Sequence, residues 1–202
     1  MFLWPWWITG AVEAAWLAIL TRGLHLDGLA DTIDGLASNG DVDRVLEIMR
    51  DSRTGAIGVV AIVLLLLIKS VCLGTISHQR LFAVLILTPC LSRFSINLLG
   101  LLAPYARPGP GLGKAFSKGL DWTFWIALPT TVLASFLLLG WQGIFALGIT
   151  VFLSILAAIY FRLRIGGITG DVLGAHVEIV ETVLLLSFCA ISHVLPLSVA
   201  PW

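Results

Sequence analysis

The chain has 202 residues, 58% of them hydrophobic and only 12% charged, with twelve basic side chains against twelve acidic ones. Soluble globular domains are nearer half apolar and a quarter charged, so this composition excludes them and points to an integral membrane protein. Zero net charge leaves no basic footprint for nucleic acid, and the bilayer itself is the expected partner.

A helical span needs roughly 20 apolar residues, and the pattern supplies about six, near 2–21, 56–77, 81–103, 121–140, 143–161 and 172–195. The expected fold is therefore all-α, a polytopic helical membrane protein of about six transmembrane helices in one integral domain over residues 1–202. The N-terminus lacks a basic region and a small-residue cleavage site, so no removable signal peptide is expected. Trp4, Trp6, Trp7, Trp122, Trp125, Trp141 and Trp202 lie near span ends, as an interfacial belt would. Cys72, Cys90 and Cys189 sit inside apolar runs without paired spacing and read as packing residues.

After the first span comes Gly23-Leu24-His25-Leu26-Asp27-Gly28-Leu29-Ala30-Asp31-Thr32-Ile33-Asp34-Gly35. On a helix Asp27, Asp31 and Asp34 share one face, with Leu26, Leu29, Ile33 and Leu36 opposite. Like charges so placed repel unless a cation neutralises them, and oxygen ligands without Cys or paired His suit Mg²⁺, Mn²⁺ or Ca²⁺ rather than zinc. The competing reading is a solvated acidic face. Ser38-Asn39-Gly40-Asp41 then reads as a turn and a helix start. Next, Arg50 and Arg53 would be i, i+3 neighbours on a helix and could grip one phosphate, with Asp51 beside them and Gly55 and Gly58 allowing close approach. Plain positive-inside anchoring is the alternative.

Further on, Lys69 is mid-span and Arg93 lies inside the membrane, both expensive there unless paired, and Glu13, Glu178 and Glu181 are the acids available. An interior ion pair is expected for Lys69. The loop Pro104-Tyr105-Ala106-Arg107-Pro108-Gly109-Pro110-Gly111-Leu112-Gly113-Lys114 is irregular. Its glycine run ending in Lys114 could expose backbone N–H groups to phosphate, though it is no P-loop. The very short loop at Gly140–Gly143 makes spans four and five an antiparallel hairpin. The last motif, Gly166-Gly167-Ile168-Thr169-Gly170-Asp171, lets Thr169 or Asp171 cap the final span, and puts Asp171 and Glu178 on one face. His176, alone beside that face, is expected to be a structural hydrogen-bonder.

Arg22, Arg44, Arg50, Arg53, Arg107, Lys114, Lys118, Arg162 and Arg164 fall in alternate connections, against Arg80 on the other side. The three motif-bearing loops are thus expected in the cytoplasm of a multi-pass cell-membrane protein, with both termini outside.

Taken together these motifs resemble the cobalamin synthase family, the adenosylcobinamide-GDP ribazoletransferases. The resemblance rests on Gly23 to Gly35, on Met49-Arg50-Asp51-Ser52-Arg53 with Gly55 and Gly58, and on Lys69, Arg93 and Tyr105-Ala106-Arg107. It continues through Gly111-Leu112-Gly113 and Gly166-Gly167 with Thr169-Gly170-Asp171, Leu173-Gly174-Ala175, Glu178 and Glu181. Family members usually begin with a further segment and hydrophobic helix, whereas Met1 here lies almost at the helix that leads into the acidic motif. The resemblance implies attack of the ribose hydroxyl of α-ribazole, or of its 5′-phosphate, on the cobinamide-side phosphorus of adenosylcobinamide-GDP, with GMP leaving. It implies Mg²⁺ or Mn²⁺ on Asp27, Asp31 and Asp34 with help from Asp51 or Asp171, and substrate contacts from Arg50, Arg53, Arg107, Lys114, Thr169 and Asp171. His25 or Asp34 is the candidate base. A homo-oligomer or other cobalamin-pathway enzymes are the protein partners it suggests. Two rivals are a phospholipid-type alcohol phosphotransferase, whose D-G-x₂-A-R motif is met here with Asp31 in place of the Arg, and a cation-coupled transporter using Lys69, Arg93, Glu178 and Glu181.

Overall fold

A computed structural model describes residues 4–51, 53–107 and 122–194. Seven helices follow in order: α1 (Trp6–Leu20), α2 (Leu24–Ala37), α3 (Val42–Ile48), α4 (Ala56–Thr75), α5 (His78–Leu102), α6 (Trp122–Ile165) and α7 (Gly170–Val194). No strand is present among the described residues, and the all-α reading holds.

The 44 residues of α6 would extend about 66 Å if straight, twice the hydrocarbon core of a bilayer. The chain instead breaks at Gly140, whose φ of 55° and ψ of −135° are non-helical. A Cβ at Gly143 would collide with the Ser135 carbonyl, so the two arms fold back on each other. These are the expected fourth and fifth spans. With α4, α5 and α7 they make up the apolar helices of full spanning length among the described residues.

The first expected span is shorter than its apolar pattern. α1 has 15 residues, and its end is closed by Gly23 N–H donating to the Ala18 carbonyl and Arg22 N–H to the Ile19 carbonyl. This is a Schellman closure, and it places Arg22 at φ 53° where glycine is usual. α2 then continues the same course. Trp6 and Gly10 meet α4 at Gly74 and Ser70, Leu26 and Leu29 pack with Ile62 and Leu65, and Ala30 and Asp34 meet Gly58. The two helices therefore lie end to end, antiparallel to α4.

α7 is the central helix: 72% of its spanning window is buried, against 28% for α4 and α6. The other spans turn Val60, Val63, Leu64, Leu67, Leu133, Phe136, Phe152 and Leu156 outward, a surface suited to lipid. Trp4, Trp6, Trp7, Trp122, Trp125 and Trp141 are exposed as the belt requires, and Trp202 lies outside the described residues.

α2 crosses α7 at Gly28 and Gly174. A Cβ on Gly28 would lie 2.8 Å from the Asp171 carbonyl oxygen and 3.3 Å from the Gly174 Cα. Both obstacles are backbone, which cannot swing aside. Gly28→Ala is expected to cost about 1–3 kcal/mol through overpacking, read as a lower Tm in detergent. An unchanged Tm would show that the helices part freely.

Candidate functional site

The Gly28–Gly174 crossing sets the acidic face of α2 beside the start of α7. Asp27, Asp31 and Asp34 share that face, as the spacing predicts. Asp31 feels Asp27, Asp171 and Asp34 as like charges and Arg107 as an opposing one, so carboxylates from two helices gather here. Burial, reinforced by those three neighbours in that order, raises the Asp31 carboxyl to about 6.

Asp34 has a different duty from its two companions. Its Oδ2 accepts from Gly55 N–H at 2.7 Å and its Oδ1 from Gly58 N–H at 2.8 Å. It thus caps α4 from a separate helix, satisfying two of the donors that every helix start leaves open. Gly55 and Gly58 accordingly serve a neighbouring helix, and a side chain at either would strike Asp34.

Two loops distant in sequence are fastened to form the other wall. Ile168 N–H donates to the Pro104 carbonyl at 2.8 Å and Ala106 N–H to the Ile168 carbonyl at 2.9 Å, a parallel bridge between Tyr105 and Ile168. This delivers Arg107, whose Nη2 donates to Asp171 Oδ2 at 2.8 Å. The Thr169 hydroxyl donates to the same oxygen at 3.2 Å and accepts from Val172 N–H. Thr169 is therefore the cap of α7, which leaves Asp171 to face the site. Arg107 Nε is buried and has no hydrogen-bond partner among the described residues.

The arginine pair departs from expectation. α3 ends at Ile48 and α4 begins at Ala56, so Arg50 and Arg53 are not neighbours on a helix. The cause is local: Asp51 Oδ1 accepts the Arg53 N–H at 3.0 Å, and its carboxylate also holds the guanidinium, an arrangement that competes with helix formation. Arg53 is 87% exposed, and its bonds to Asp51 press that carboxyl down to about 2. Arg50 is exposed as well. Neither arginine, nor Asp51, is among the charges acting on Asp31. Lys114 lies outside the described residues.

Beneath the acidic face lies a network no single motif shows. Lys69 Nζ donates to Glu178 at 2.6 Å and Glu181 at 2.7 Å, so the expected interior ion pair is a triad. Glu181 also accepts from Ser92 at 3.0 Å and from Arg93. Arg93 Nη2 reaches His25 Nδ1 at 3.4 Å. Residues two apart on a helix diverge by about 200°, so His25 points away from Asp27. His176 is buried at 3.1 Å from Ser154, a structural contact as expected.

Among the described residues no three His, Cys, Asp or Glu side chains form a ready metal cage. Mg²⁺ commonly takes one or two carboxylates and completes its shell with water and substrate phosphates, which is the donor set available at Asp27, Asp31 and Asp171. The raised Asp31 carboxyl and the partnerless Arg107 Nε fit a site that gains a cation and an anion together.

Two substitutions on the one acidic face should have opposite effects. Asp31→Asn removes a like charge. Because Asp31 is only partly buried, solvent screening reduces the benefit to about 1 kcal/mol, a rise of about 2–4 °C in the Tm of metal-free protein at pH 7. Asp34→Ala opens the α4 cap and should cost about 1–2 kcal/mol. Thermal unfolding of both variants checks this, and equal shifts would refute the division of labour.

The comparisons with known proteins agree with this architecture. The profile of the cobalamin-5-phosphate synthase family matches residues 1–189. A protein of Thermoanaerobacter sp. (strain X514) named adenosylcobinamide-GDP ribazoletransferase is 39% identical over 178 residues, 86% of this chain and 70% of that relative. Proteins of the same name from Syntrophobacter fumaroxidans and Acinetobacter baumannii are 43% and 42% identical, covering 70% and 73% of their lengths and 86% and 90% of this chain. No solved structure matches. A multi-pass helical chain whose motifs close over clustered carboxylates, matched along almost its whole length, belongs to the cobalamin-5-phosphate synthase family.

Proposed function

We propose that this chain is an adenosylcobinamide-GDP ribazoletransferase, joining the phosphocobinamide group of adenosylcobinamide-GDP to α-ribazole or its 5′-phosphate. The ribose hydroxyl attacks the cobinamide-side phosphorus, the phosphoanhydride bond to the other phosphorus breaks, GMP leaves, and the hydroxyl proton passes to a base. The observation that carries this reading is the meeting of Asp27 and Asp31 from α2 with Asp171 from the first turn of α7 and Arg107 from the loop after α5.

The pyrophosphate would lie between the carboxylates and Arg107, whose buried Nε offers it an unused donor. Asp27, Asp31 and Asp171 would hold Mg²⁺ or Mn²⁺, which would supply charge neutralisation for the anhydride and its departing phosphate. The starts of α4 and α7 flank the site and favour anions there through their aligned peptide dipoles. Thr169 keeps Asp171 oriented. Arg50 and Arg53 are left with the outer rim of the loop cluster. Asp34, with both oxygens committed to α4, and His25, on the opposite side of α2, are poorly placed as bases. The family relationship favours this reaction over a phospholipid-type phosphotransferase or a transporter.

Metal-dependent GMP release by purified protein tests the reading. Asp27→Asn or Asp171→Asn should lower turnover at least a hundredfold, on the scale of about 3 kcal/mol or more for lost charge stabilisation. Arg107→Lys should cost about ten- to a hundredfold in kcat/KM, whereas Arg53→Lys should stay within about threefold if that residue only marks the rim. Near-normal GMP release by Asp27→Asn would leave only a solvated acidic face.

Orientation is part of the same proposal. The motif loops converge at one end of the bundle, where Arg164 also donates to the Gly40 carbonyl at 3.0 Å. We place that end in the cytoplasm on the strength of its basic residues. Cysteine labelling should find Ser38 and Gly109 on the cytoplasmic side, and labelling of the two from opposite sides would refute it.

A further inference from the structure

The intramembrane charges are not used by the reaction above, yet they are costly to keep. Lys69 lies about 20 Å along α4 from its start, Arg93 about 14 Å from the end of α5, and Glu181 about 16 Å into α7. Charges at such depth are tolerated only when paired, and apolar side chains could join these helices without the desolvation penalty. Among the described residues, one hydrogen bond leads from the network out of the three spans, that of Arg93 to His25 on α2.

A guanidinium can only donate, so His25 Nδ1 accepts and the neutral ring carries its proton on Nε2. His25 also sits where α2 crosses α7, its Cα 3.3 Å from where a Gly174 Cβ would be. Asp34 anchors the other end of α2 on α4. Asp27 and Asp31 lie between these two anchors, so their direction follows from the rotation of α2.

We propose that His25 and Arg93 are positioning residues: the ion network, acting through Arg93 on His25 Nδ1, sets the rotation of α2 and so turns Asp27 and Asp31 toward Asp171. The imidazole serves as a hydrogen-bond acceptor at Nδ1 and takes no proton from substrate. This rests on the reading that those three carboxylates form the reacting site.

Asparagine tests it, because its Oδ1 falls near the position of Nδ1 and can accept from Arg93. His25→Asn should keep kcat/KM for GMP release within about fivefold of wild type. His25→Ala and Arg93→Gln should lose at least about thirtyfold and bind Mn²⁺, counted by electron paramagnetic resonance, about tenfold more weakly. ¹⁵N spectra of histidine-labelled, metal-free protein should show His25 unprotonated at Nδ1 in wild type, and altered in Arg93→Gln. A folded His25→Asn as inactive as His25→Ala would overturn the proposal, as would a His25 proton on Nδ1 or wild-type Mn²⁺ binding in both His25→Ala and Arg93→Gln. Wild-type protein that binds Mn²⁺ without releasing GMP would sink the proposed reaction alone, since the Mn²⁺ and ¹⁵N measurements still decide the role of His25.

Discussion

The close approach of α2 to α7 is the constraint on which the rest depends. With glycine at both 28 and 174 the two backbones come nearly into contact. That contact brings a carboxylate-bearing helix against the first turn of the most buried span. A larger residue at the crossing would separate Asp31 from Asp171 before any change in the charges themselves. The same contact explains why the acidic face is strained: it gathers like charges from two helices into one partly buried region, and Asp31 shows the consequence in its raised pKa.

The opposite wall is built by a different kind of bond. A loop following α5 and a loop following α6 have no helical reason to meet, and they are joined by the backbone bridge at Tyr105 and Ile168. That bridge places Arg107 on Asp171 in a partly buried pair. Arg164 adds a tie from the end of α6 to the turn after α2. The site is thus closed by hydrogen bonds among loops, while the spans beneath are held by packing and by the ion network.

Strain and polarity concentrate on α2 and its connections. Arg22 occupies the left-handed region at the close of α1, a position where most side chains cost about 1 kcal/mol. α2 carries three carboxylates, meets the partly buried Arg93 through His25, and lends Asp34 to another helix. A segment with so many obligations has few freedoms left, which suits a part of the molecule whose side chains must face a charged substrate in a fixed direction.

Composition and periodicity by themselves determined the fold class and the positions of the later spans, because a bilayer admits only long apolar helices whose backbone groups are satisfied internally, while the first span expected over 2–21 is a helix of 15 residues. They also gave the shared face of Asp27, Asp31 and Asp34 from helical spacing and the pairing of Lys69 with an acid from the cost of a charge in lipid, while the hairpin at Gly140 follows from a very short loop and the structural role of His176 from its having no second histidine beside it. The family was legible because its motifs occur in order along nearly the whole chain. Only the tertiary structure decided how the motifs divide their work. Asp34 looks identical to its neighbours in sequence but became the cap of α4, because the donors it satisfies lie in a helix that must first be packed against it. Arg50 and Arg53 have helical spacing, yet the Asp51 side chain claims Arg53 locally and turns the segment outward. Arg107 and Asp171, separated by the whole of α6, met only through a loop-to-loop bridge that no periodicity signals. Local spacing fixes which side chains share a face, and long-range packing alone determines what that face meets.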